Sequence, residues 1–290
     1  AKLALHEGVP AEQILCGNGA ADLIFRLVWA AKPRRALVTA PTFAEYAAAL
    51  ESAGCAVRRH FLQAEVDFAV TDSILSSITP EVDMVFLCQP NNPTGQLTPL
   101  PLVERILRRC EACGALLVVD ECFLDFLPDC DALTAKALLD SKNLLILKAF
   151  TKLYGMAGVR LGYCLCANTA LLEAMQAAGQ PWAVSSLAQA AGLAALDETA
   201  YVAQVRALIA QQRPRLTAGL RALGLRVLDG RANYLLFQGP ETLGDALRQW
   251  GVVLRSCSNY PGLDGSWYRT AVRTGPENDE LLKTLAEVLA

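Results

Sequence analysis

Val82-Asp83-Met84-Val85-Phe86-Leu87-Cys88 breaks directly into Gln89-Pro90-Asn91-Asn92-Pro93-Thr94-Gly95. The first half is a largely apolar run that reads as a buried strand over Val82–Cys88. The second half packs two prolines, two asparagines and a glycine into seven residues, which predicts a rigid turn that holds its Asn side chains in place. A plain turn would end a strand equally well. The placement argues for more. Strands apolar on both faces belong to parallel sheets covered by helices, and such sheets bind ligands beyond the carboxyl ends of their strands.

The same alternation extends in both directions. Ala36–Thr39 reads as a short strand and Ala44–Ala53 as a helix closed by Gly54. Leu100–Cys113 reads as a helix with Thr98 as N-cap, Pro99 at its first position and Gly114 at its end. Ala115–Val119, Asn143–Leu147 and Val159–Cys166 are further strands, and Ala170–Gln180 and Leu187–Ile209 are Ala-rich helices. After Pro214 the pattern changes to short strands, Leu225–Leu228, Tyr234–Phe237 and Val252–Arg255. It closes on Asp279–Leu289, where Leu281, Leu282, Leu285, Val288 and Leu289 form the stripe of an amphipathic helix. The expected architecture is α/β. A mostly parallel central sheet with helices on both faces would occupy a large unit over residues 1–205. A smaller α+β unit would occupy 206–290.

Of the 290 residues, 53% are hydrophobic and 19% charged, which is ample for a core and excludes a disordered chain. The net charge is −3, and no basic block is interleaved with aromatics, so no nucleic-acid partner is expected. Mean hydropathy is +0.29. Even so, apolar runs are cut by charge, Ala115–Val119 by Asp120 and Leu144–Leu147 by Lys148, and none reaches the ~20 residues of a membrane span. The first residues lack the succession of a signal peptide. Of ten cysteines, several, such as Cys88, lie inside apolar runs and behave as small buried hydrophobes. Cys110-Glu111-Ala112-Cys113 has redox or zinc spacing but stands alone, and the only histidines are His6 and His60. Structural thiols, no metal site and a reduced cytoplasmic setting are expected.

Gly17-Asn18-Gly19-Ala20 is a small-residue turn before a predicted helix over Ala21–Ala30. Such a turn lets backbone N–H groups approach an anion, although an ordinary glycine turn looks the same. Asp120-Glu121 ends one buried strand, Lys152 follows the next, and Arg160 comes eight residues later. A buried carboxylate needs a partner, and an ion pair of Asp120 with Arg160 would supply one. Asn92, Asp120 and Lys152 then fall at one edge of one sheet.

In this order, Asn92-Pro93-Thr94-Gly95, Asp120-Glu121, Thr151-Lys152 and Arg160 resemble the pyridoxal-phosphate aminotransferases of fold type I, from about Val9 to the C-terminus. Within that fold the chain is similar to histidinol-phosphate aminotransferases and threonine-phosphate decarboxylases. Asp120-Glu121-Cys122-Phe123-Leu124-Asp125-Phe126, Pro181-Trp182-Ala183-Val184 and Arg269-Thr270-Ala271-Val272-Arg273-Thr274 lean to the decarboxylases. The resemblance implies pyridoxal 5'-phosphate as cofactor. It casts Lys152 as the lysine that binds it covalently and shuttles a proton, and Asp120 as the partner of its ring nitrogen. Asn92 would donate to the ring's phenolic oxygen and Phe43 would stack on the ring. Gly19, Ala20, Ala21, Thr151 and Arg160 would surround the phosphate. Arg255 and Arg269 would grip the substrate's anionic groups, with Arg273 as a further contact.

The activity so implied is decarboxylation of L-threonine O-3-phosphate to (R)-1-amino-2-propanol O-phosphate, a cobalamin side-chain precursor, by a homodimer. The alternatives are an aminotransferase acting on histidinol phosphate or another amino acid, and a cofactor-binding protein without turnover. Two positions depart from the family pattern. Ala149 stands where Ser or Thr commonly touches the phosphate, and Phe123 stands where the aminotransferases usually have Tyr. Family members also carry an N-terminal arm ahead of the point where this sequence starts, so the arm is expected to be missing from it.

Overall fold

The computed structural model describes residues 1–290. Seven strands form the first sheet: β1 (Ile14–Gly17), β2 (Arg35–Ala40), β3 (Ala56–Phe61), β4 (Met84–Cys88), β5 (Leu116–Asp120), β6 (Leu144–Ala149) and β7 (Gly162–Cys166). Their order is β1-β7-β6-β5-β4-β2-β3. Strands β2 to β6 pair in parallel, and β7 is antiparallel to both its neighbours, so only β7 runs against the rest.

Side chains alternate across a strand, so a strand apolar at every position must feed two cores. Val85 and Leu87 of β4, Leu117 and Val119 of β5, and Leu144 and Ile146 of β6 enter one core with the helix Leu100–Cys113. Met84, Phe86, Cys88, Val118, Leu145 and Leu147 enter the other, with the helices Gly19–Ala31, Ala44–Ser52 and Thr169–Ala178. A second, antiparallel sheet has the order β10-β11-β9-β8. Its strands are β8 (Arg226–Val227), β9 (Tyr234–Gln238), β10 (Arg255–Ser256) and β11 (Trp267–Ala271), and it packs on the helices Thr199–Ala222 and Gly275–Leu289.

Several expected elements change. Leu187–Ile209 is two helices, Ser186–Ala195 and Thr199–Ala222, broken at Leu196-Asp197-Glu198. The break is a tightened last turn, in which Asp197 N–H bonds the Ala194 carbonyl and Glu198 N–H the Ala195 carbonyl, three residues back rather than four. The second of these helices runs straight through Pro214. Proline removes the bond to the carbonyl four residues back, that of Ala210, but both residues are exposed and water can serve it. Pro99, not Thr98, holds the N-cap of Leu100–Cys113, and the Thr98 backbone bonds the Gln89 side chain instead. Strands β1, β3 and β11 were not among the expected strands. The first two have mixed burial, which removes the continuous apolar signal.

Behind β6 lies a buried ion cluster. Lys148 Nζ is 2.9 Å from Asp125 Oδ1 and 3.5 Å from Glu7 Oε1, while Lys136 Nζ is 3.1 Å from Glu7 Oε2. The Tyr163 hydroxyl also donates to Glu7. Burial works to raise the Glu7 carboxyl, but Lys148, Tyr163 and Lys136 outweigh it and hold it below the usual value. Burial likewise pulls Lys148 down, and Asp125 and Glu7 overcome it and hold it above the usual lysine value. The Glu7 contribution is therefore present above the ordinary carboxylate pKa and lost as pH falls through the lowered one. That of Lys148 is lost only as pH rises through its raised value. Lys148→Met leaves two carboxylates short of a partner and should cost about 3 kcal/mol in urea unfolding, with acid unfolding moved to higher pH.

Candidate active site

Because β1, β2, β4, β5 and β6 share a direction, the loops after them gather at one edge of the sheet. Gly19–Ala21 follow β1, Phe43 follows β2, Asn92 follows β4, Asp120 ends β5, and Thr151 and Lys152 follow β6. β7 runs the other way, so Arg160, just before it, reaches the same edge. These side chains line one cavity of about 310 Å³, together with Arg255 and Arg269 from the second sheet.

At one end, Ala20 and Ala21 open the helix Gly19–Ala31, whose first N–H groups and dipole favour an anion. Close approach explains the glycines. A Cβ on Gly19 (φ 82°) would meet Arg160 Nη2 at 2.6 Å, and one on Gly162 would meet the Ala20 backbone nitrogen at 2.5 Å. Gly19 itself does not line the cavity; it makes room for Arg160. Arg160 sits in the left-handed region (φ 61°), outside the strand in which the sequence placed its start, and donates to the Ala157 carbonyl at 3.2 Å. It makes no ion pair, so the plain salt bridge to Asp120 that the sequence left open as the alternative reading is absent.

Asp120 finds its partners elsewhere. Oδ2 accepts from the Tyr46 hydroxyl at 2.5 Å and Oδ1 from the Cys122 N–H at 3.0 Å. Burial, then the Asp120 charge, keeps Tyr46, Cys88 and Cys122 protonated by raising all three, Cys88 to about 12. Lys152 has no carboxylate partner; its amine lies 5.7 Å from the Phe123 ring centroid. Asn92 Oδ1 accepts from Arg269 and, at 3.2 Å, from the Tyr260 hydroxyl, which leaves the Asn92 amide N–H free to donate into the cavity.

Arg255 and Arg269 face each other across β10 and β11 as directly paired residues, so both guanidinium groups stand on one face of that sheet. Arg269 stacks on the Tyr234 ring at 5.1 Å and Arg255 on the Tyr260 ring at 5.7 Å. The structure does not bring Arg273 to them. It lies past the end of β11, exposed, paired with Glu277 at 2.9 Å beside the capping box of the last helix. The Pro181–Val184 segment also stays off the cavity, with Trp182 95% exposed. Four cations, Lys152, Arg160, Arg255 and Arg269, thus meet one carboxylate, Asp120, in one cavity. That balance suits an anionic cofactor and an anionic substrate, and a helix N-terminus with an unpaired arginine suits a phosphate. Sequence reasoning missed Tyr46, Cys88, Cys122 and Tyr260. Only Tyr46 carried a signal, its position three residues after Phe43 on one helical face.

Across residues 2–286 the chain matches the family model "Aminotransferase class I and II". The chain belongs to this family. Class I and II aminotransferases use pyridoxal 5'-phosphate, and this family member is a pyridoxal-phosphate enzyme. It is 40% identical to a threonine-phosphate decarboxylase of Salmonella typhimurium, over 99% of this chain and 80% of that one. It is 36% identical to a histidinol-phosphate aminotransferase of Desulfitobacterium hafniense, with the same coverage. The solved histidinol-phosphate aminotransferase of Clostridium acetobutylicum superposes with a TM-score of 0.94 at 26% identity, covering 99% of this chain and 87% of that one. No helix of this aminotransferase-family chain is long and apolar enough to cross a membrane.

Proposed function

We propose that the protein decarboxylates L-threonine O-3-phosphate to (R)-1-amino-2-propanol O-phosphate, a step of cobalamin side-chain synthesis. The observation that carries this is the Arg255–Arg269 pair facing the cavity: two guanidinium groups for a substrate with two anions, carboxylate and phosphate. The 40% identity to the Salmonella decarboxylase supports it. The chemistry that pyridoxal phosphate supplies when bound is an electron sink for the substrate's α-carbon.

The chain's own residues would do the rest. Ala20, Ala21, Thr151 and Arg160 would hold the cofactor phosphate, Phe43 would cover its ring, and Asn92 would donate to its phenolic oxygen. Asp120 would keep a proton on its ring nitrogen. Arg255 and Arg269 would hold the substrate's carboxylate and phosphate and so fix its orientation in the cavity. Lys152 would deliver the proton that takes the place of the departing carbon dioxide at the α-carbon. We further propose a division into units at 205/206, within the helix Thr199–Ala222, and a homodimer in a reduced cytoplasm.

The identity to the Desulfitobacterium aminotransferase favours one second activity, transamination of histidinol phosphate. The two separate cleanly. Threonine phosphate should release carbon dioxide with no keto acid present. Arg269→Leu should raise KM by about 10–100-fold through one lost charge-assisted contact, and Arg273→Leu should change neither KM nor kcat. A requirement for 2-oxoglutarate with no carbon dioxide released overturns the decarboxylase in favour of the aminotransferase.

A further inference from the structure

Tyr46 is fully buried on the helix Ala44–Ser52, and its hydroxyl lies 2.5 Å from Asp120 Oδ2. Its ring has little freedom. It stacks on Phe86 at 4.8 Å and 16° and meets Phe43 edge-on at 5.5 Å and 82°. Phe86 belongs to β4 and Phe43 lines the cavity, so packing alone aims the hydroxyl at the carboxylate. The Cys122 N–H holds the other carboxylate oxygen from the end of β5. Two donors from separate elements thus fix the carboxylate plane, and each oxygen keeps a lone pair for one more donor.

We infer that Tyr46 is a positioning residue for Asp120: its O–H orients the carboxylate and draws off part of its charge, and so sets how firmly Asp120 holds the proton on the ring nitrogen of the cofactor. The inference rests on the cavity being the pyridoxal-phosphate site. A hydrogen bond to an ionised carboxylate stabilises the charged form and moderates its pull on an outside proton. Burial keeps Tyr46 a donor at every working pH. The hydroxyl is not there merely to fill a core position: the rings on either side of it are phenylalanines, which bring no polar group.

The test is Tyr46→Phe, which keeps the ring and removes one oxygen. Equilibrium titration of the cofactor-free protein with pyridoxal phosphate should show an affinity changed severalfold, because the carboxylate that meets the ring nitrogen has lost both a fixed orientation and a donor that drew off its charge. The ¹⁵N resonance of ring-labelled cofactor should move, because the carboxylate at that nitrogen has changed. With substrate, kcat should fall while KM holds, since Tyr46 touches neither Arg255 nor Arg269. Asp120→Asn should largely abolish the effect of Tyr46→Phe on cofactor binding. A variant with wild-type cofactor affinity and an unmoved ¹⁵N resonance overturns the inference, and lower thermal stability alone would then mark Tyr46 as a packing residue. Failure of the wild-type protein to bind pyridoxal phosphate overturns the cofactor site and the role of Tyr46 with it.

Discussion

Lys152→Ala is expected to cut turnover by about 10⁴-fold, the largest effect of any single substitution in this chain. Lys152 is the cavity's only amine. Proton transfer by a positioned side chain is worth roughly 10²–10⁴-fold, and the covalent hold on the cofactor is lost with it. The neighbouring lysines cannot substitute. Lys148 points to the other side of β6, into the cluster with Glu7 and Asp125, and Lys142 precedes that strand. Borohydride reduction of the cofactor-loaded protein followed by peptide mapping should place the added mass on Lys152. Mass on Lys142, on Lys148 or on no lysine would refute the assignment.

The second large effect is expected at Asp120. Asp120→Ala removes the only carboxylate in a cavity with four cations. A charge placed where electrons accumulate in the reaction is worth about 10²–10³-fold, and kcat should fall by that amount. The cofactor should still label Lys152 on borohydride reduction, because Lys152 and the residues proposed to hold the phosphate, Ala20, Ala21, Thr151 and Arg160, are untouched. The substitution also strips the buried Tyr46 hydroxyl of its acceptor, so unfolding free energy should drop by about 1–3 kcal/mol. Turnover within threefold of wild type would remove Asp120 from the mechanism. Comparing the two variants separates the tasks: labelling is lost with Lys152 and kept with Asp120.

Much of the cavity wall proposed for the cofactor was legible in residue order. Asn92, Asp120 and Lys152 each follow an apolar run, and runs apolar throughout specify strands buried on both faces. Parallel strands so covered carry their loops to one edge, so residues far apart in the chain meet without any long-range signal being read. The glycine turn at 17–19 was legible for a related reason, since close approach of backbone to Arg160 and to β7 leaves no room for a side chain. The arginine wall proposed for the substrate was not so readable. Arg255, Arg269 and Arg273 look alike in sequence, but strand register puts the first two opposite each other, and the third lies beyond the strand, where Glu277 takes it.

By itself, then, the sequence determined the α/β class, the covered parallel sheet and the edge at which Asn92, Asp120 and Lys152 gather. Those follow from local pattern: apolar periodicity, turn chemistry and the direction common to parallel strands. Only the tertiary structure decided the partner of Asp120, the exclusion of Arg273 and the continuation of a helix through Pro214. Each of these depends on which surfaces meet. The Tyr46 hydroxyl reaches Asp120 because aromatic packing between β2 and β4 leaves it that one place. Arg160 misses Asp120 because a left-handed backbone turns it toward the start of the helix Gly19–Ala31. A contact between residues 74 apart in the chain leaves no periodicity behind, so packing alone can select it.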